Sequence, residues 1–119
     1  MGKRDRRRKR QGAGGPAAVS EYADAKGNVL TLRDELSEGT LRRLEQLEAR
    51  PAASADDRWQ RRAEFLFERL AVRWEIAGLP LEGQKELLGR YRMASAEERG
   101  AVRELMSEHL RERLPGVDL

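Results

Sequence analysis

His109 is the only histidine of the chain, so the side chain best suited to proton transfer near neutral pH occurs once. At 100° per residue it shares a helical face with Val102, Leu105 and Met106. Two roles fit that place: a lone general base or pH-sensitive joint, or a histidine at the core edge holding one backbone or carboxylate hydrogen bond. The second is the commoner arrangement and is the expectation here. One histidine rules out multi-histidine zinc or iron sites, and the absence of cysteine rules out disulfides and thiolate metal sites. Five scattered serines remain, none in a nucleophile elbow, so no nucleophile–base pair can be assembled.

The carboxylates read as helix decoration. Glu64, Glu68 and Glu75 follow one stripe beside arginines, and Glu104 and Glu108 do the same further on. Asp57, Glu97 and Glu98 fall in first turns, where the helix dipole favours negative charge. Gly12-Ala13-Gly14-Gly15 lacks the Gly-Lys-Ser/Thr ending of a phosphate loop. Asp24 to Asn28 lacks the alternating oxygens and closing glutamate of a calcium loop. No catalytic residue, metal or cofactor is expected, and the chain reads as a non-enzyme.

Charge is distributed unevenly. Lys3, Arg4, Arg6, Arg7, Arg8, Lys9 and Arg10 stand against Asp5 alone, giving residues 1–10 a charge of +6. That leaves 17 of the 24 cations and 20 of the 21 anions for the other 109 residues, a charge of −3. Seven cations in eight positions suit a phosphate backbone bound through counterion release, with little reading of bases. An anionic membrane or an acidic protein would also attract them, although no apolar residue follows Met1 to enter lipid. Arginine outnumbers lysine 20 to 4, which codon bias in a high-GC genome explains without special chemistry.

The elements that carry these residues follow from periodicity. Residues 1–18 contain no large apolar side chain after Met1 and end in a Gly/Ala/Pro tract, so they are expected to be a disordered basic arm and linker. Residues 20–32 predict a β-hairpin turning at Asp24-Ala25-Lys26-Gly27. Ser37 or Thr40 caps a helix over about 38–49, with Leu41, Leu44 and Leu47 inward. Ser54 and Asp57 form a capping box for a long helix over about 55–77, which Gly78 and Pro80 stop. Its inner face is Trp59, Ala63, Leu66, Leu70, Trp74 and Ala77, at steps of three and four. Further helices are expected over about 82–92 and, after the capping box Ser95-Glu98, over 96–114. The fold class so predicted is mainly α: a small four-helix bundle with a long central helix and a short N-terminal hairpin. No internal repeat is apparent at a solenoid period.

Two interaction surfaces result. The first is the arm, through Lys3 to Arg10, toward RNA (ribosomal RNA included) or DNA without sequence choice. A helix-turn-helix over residues 82–114 is disfavoured, because Ala96-Glu97-Glu98 would set carboxylates against phosphates. The second is a strip on the far side of the long helix, where Phe65, Val72 and Ile76 are rimmed by Arg58, Arg62, Arg69 and Arg73. A helix apolar on two faces is normally central in its bundle, and an exposed strip of this kind would instead make the chain an adaptor for a protein partner. No apolar run approaches the roughly 20 residues that span a bilayer, and a cytoplasmic setting is expected.

Overall fold

A computed structural model describes residues 18–119 of the chain. The first hairpin joins β1 (Val19–Ala23) to β2 (Val29–Arg33), with Tyr22 opposite Leu30. Its turn is fixed by Asp24, whose Oδ1 accepts from the backbone N–H groups of Lys26 and Asn28, and by Gly27 at φ 85°. Helix α1 (Glu38–Ala49) starts under the Ser37 side chain, which accepts from the Thr40 N–H. Helix α2 (Ala55–Leu70) starts under Ser54, which accepts from the Asp57 N–H. The Asp57 carboxylate reaches back to the N–H of Ala53 rather than Ser54, so the capping box there is half formed.

The long central helix does not continue to residue 77. It ends at Leu70, and Ala71–Ile76 is a strand, β3, paired on one side with β2 and on the other with β4 (Leu79–Glu82). The four strands form one antiparallel sheet in chain order, so the architecture is α+β rather than a mainly α bundle with a two-stranded hairpin. The physical reason is local. Val72, Trp74 and Ile76 alternate with Arg73 and Glu75, a half-buried strand pattern, and Leu70 to Trp74 is a step of four that suits a helix and a strand alike. Gly78 is not a helix stop. Ala77 at φ 52° and Gly78 at φ 81° are the two central residues of a tight hairpin of the primed type. Pro80 falls on the edge strand, where its missing N–H costs no ladder bond.

Helix α3 (Gln84–Met93) and α4 (Ala96–Arg113) follow, with the full capping box between Ser95 and Glu98 at the start of α4. The element order therefore runs twice through strand, strand, helix, helix. Each second helix opens on the same pattern, Ser54-Ala55-Asp56-Asp57-Arg58 and Ser95-Ala96-Glu97-Glu98-Arg99. The sequence does not betray this repetition, because the copies differ in strand and helix lengths and share only this short signature.

One face of the sheet supplies Leu30, Leu32 and Trp74, which join Leu66, Phe67, Leu70, Leu87, Tyr91, Val102, Met106 and Leu110 in a single core. Phe67 is fully buried, stacked on Tyr91 at 4.7 Å and edge-on to Trp74 at 5.7 Å. The opposite face sets Glu21, Thr31, Arg73 and Glu82 abreast, and Arg73 Nε lies 3.7 Å from the Glu82 carboxylate. Trp59, expected inside, is 39% exposed.

Two substitutions check this architecture by urea unfolding. Phe67→Ala should cost about 3–5 kcal/mol, the range for an aromatic removed from a packed core. Ala77→Asn should stabilise by about 1 kcal/mol, since Asn tolerates the left-handed conformation that Ala adopts there at a cost. A helix through residue 77 would instead be weakened by the same change.

Candidate functional site

His109 is the first residue to place, because it alone could move a proton near neutrality. It is fully buried on α4. Its Nε2 lies 2.6 Å from the Arg33 carbonyl oxygen, which can only accept, so Nε2 carries the proton. Nδ1 then accepts from the Tyr22 hydroxyl at 2.8 Å. Asp34 is near, with Oδ1 3.9 Å from Nε2, but that carboxylate accepts from Ser20 and lies 3.8 Å from Arg113 Nε. Ser20, Asp34 and His109 have the composition of a hydrolytic triad without its order, since the serine is bonded to the carboxylate and both imidazole nitrogens are engaged elsewhere. The cluster ties β1 and β2 to α4. Burial lowers the His109 pKa below its ordinary 6.5, an effect that Arg113 reinforces and that the Arg33 carbonyl and Asp34 partly oppose.

The arginine-rimmed strip is divided by the break after Leu70. Arg58, Arg62, Phe65 and Arg69 lie on α2, whereas Val72, Arg73 and Ile76 lie on β3. They do not share a helical face, because the 100° count ends where the helix ends. Phe65 and Ile76 are partly buried against the core, and the Arg69 guanidinium sits 5.2 Å over the Phe65 ring. Arg73 lies 3.6 Å from Glu75 along its own strand and 3.7 Å from Glu82 on the neighbouring one. Arg58 is exposed.

Arg62 does something the sequence did not indicate. Its Nε donates to the Asp118 carbonyl at 2.7 Å, Nη2 to the Asp118 carboxylate at 3.1 Å, and Nη1 to Glu48 at 2.6 Å. It thus clamps the C-terminal tail beside a groove of about 520 Å³, which Leu41 and Leu44 of α1 share with Leu114 to Val117.

A second cleft, of about 470 Å³, opens where α2, α3 and α4 meet. Trp59 forms one wall, and the Arg103 guanidinium lies 4.4 Å over its ring. Arg92 and Arg99 also line it, with Asp56 and Glu64 as the acidic members. Arg92 is paired with Glu64 at 3.0 Å, and the Asp56 carboxylate accepts from Gln60. Arg99 donates to the Ala94 carbonyl and Arg103 to the Tyr91 hydroxyl at 3.4 Å. The lining is therefore aromatic and cationic by one charge. Sequence reasoning missed it because Trp59 and Arg103 stand far apart in the chain. The available signal was the repeated Ser-Ala-acid-acid-Arg pattern, which marks two helix starts as equivalent.

Lys3, Arg4, Arg6, Arg7, Arg8, Lys9 and Arg10 lie outside the described residues. Among the described residues no group of three or more His, Asp or Glu side chains could hold a metal ion, and no helix is long and apolar enough to cross a membrane.

The buried imidazole gives a pH dependence of known sign. Above about pH 6.5 His109 is neutral folded or unfolded, so stability there is unaffected by its titration. Below that pH the unfolded chain takes the proton first, and unfolding free energy falls by at most about 1.4 kcal/mol per pH unit, the limit for one proton. His109→Gln should be less stable at pH 7.5 by about 1–3 kcal/mol and show a flatter profile between pH 6.5 and 5. Urea titrations of both proteins across that range check it, and superimposable slopes would contradict it.

The chain matches no family model, and no curated protein or solved structure matches it either.

Proposed function

We propose that this is a non-enzymatic interaction protein whose basic N-terminal segment holds it on RNA or DNA without sequence preference. The observation that carries the reading is the separation of charge: +6 within the first ten residues, −3 over the rest. A densely cationic segment gains affinity for a polyanion by releasing its condensed counterions, a gain independent of base sequence. A mildly anionic body gains nothing from phosphate as a whole, so it limits how much nucleic acid the protein covers and leaves room for other contacts. The buried, fully bonded His109 is consistent with a structural role for the one histidine.

With about six phosphates neutralised, log K should fall with log salt at a slope of about −4 to −5. Deleting residues 1–10 should flatten that slope toward zero while leaving urea stability unchanged. Fluorescence anisotropy of a labelled duplex oligonucleotide at several salt concentrations measures it. An equal slope with and without the segment would dispose of the reading.

A further inference from the structure

The cleft between α2, α3 and α4 combines three features that a plain packing defect would not. Trp59 leaves 39% of its surface in solvent. The Arg103 guanidinium lies 4.4 Å over the ring, a cation–π contact that favours this orientation of the indole. Beside the indole, Arg99 and Arg103 each make one hydrogen bond to protein, to Ala94 and Tyr91, out of the five N–H groups that a guanidinium offers. Their carboxylate neighbours are engaged elsewhere, Glu64 by Arg92 and Asp56 by Gln60. The volume, about 470 Å³, is within the roughly 300–1,000 Å³ of small-ligand clefts.

We infer that this cleft is a subsite for one unpaired nucleotide of a single-stranded nucleic acid, with the base stacked on Trp59 and the phosphate held by Arg99 and Arg103. The inference rests on the reading that nucleic acid is the ligand, and it gives the body a part in binding that the N-terminal segment cannot supply. A flat π-system matches the solvent-exposed part of the indole, beside the Arg103 guanidinium that lies over the ring. A phosphate matches two guanidinium groups with donors to spare. A base inside a duplex could not reach the indole without being unstacked. The site therefore discriminates by strandedness and not by sequence.

The test follows tryptophan emission and binding of the full chain with ten-nucleotide oligoadenylate, a DNA duplex of equal length, and polyglutamate. Oligoadenylate should quench emission, and the quench should vanish in Trp59→Phe, because Trp74 is buried. Trp59→Leu should weaken oligoadenylate binding by about tenfold and leave duplex binding within twofold. Arg99→Gln with Arg103→Gln should weaken oligoadenylate binding and reduce the salt slope by about 0.7, the value for one phosphate of a single strand, with Trp59 still present. Unchanged oligoadenylate affinity in both variants, while the full chain still binds, would overturn the subsite and leave the N-terminal reading intact. Equal quenching by polyglutamate would overturn base stacking in favour of a simple anion site. Failure of the full chain to bind either nucleic acid would sink both.

Discussion

The Phe67 ring is the contact on which the remainder of the molecule depends. Stacked on Tyr91 and edge-on to Trp74, it joins α2, α3 and β3 at one buried point. Such aromatic pairs contribute roughly 0.5–1.5 kcal/mol each beyond the area they bury. Their greater effect is geometric, since a ring held between two others fixes the angle at which a helix meets a sheet. Leu66 and Leu70 bury the same side of α2, so the helix is seated along its whole second half.

That seating dictates the course of the next strand. With no loop between Leu70 and Ala71, β3 leaves the end of α2 directly and must run where α2 points it. It lands beside β2, covering an edge that the first hairpin would otherwise expose, and its own tight turn returns β4. The bulge between Thr31 and Leu32 absorbs the extra residue that this arrival requires. The second pair of helices then closes over the core, with His109 pinning α4 to Tyr22 and Arg33 of the first hairpin. The start of α4 thereby comes to face the start of α2, and the Trp59 cleft is the space left between them.

Local chemistry made part of this readable in advance. Ser37, Ser54 and Ser95 each cap the helix that their side chains suggest, and the Asp24 turn closes on Gly27. These features depend on a few neighbouring residues and on no distant partner. The junction at Leu70 was not readable, because alternation and a four-residue step coincide over 70–74, and only the pairing of β3 with β2 decides between them. Phe67 was missed for the same reason: the inner face was traced through Trp59 and Trp74 as if both lay on one helix. Trp59 stays at the surface because α2 meets α4 there through Arg103, a contact that no spacing argument reaches. The single helical face of the arginine strip was an outcome of the overlong helix, and its residues are divided between α2 and β3.

What remains is a folded body of −3 charge carrying an arginine-lined indole, attached to a segment of +6. Its proposed work divides accordingly, with long-range attraction in the segment and selection for unpaired bases in the cleft. The most direct test of that division is the ratio of absorbance at 260 and 280 nm for protein purified at low salt, as the full chain and without residues 1–10. Nucleic acid carried along by the full chain alone is the result this account predicts; the same ratio for both proteins would contradict it.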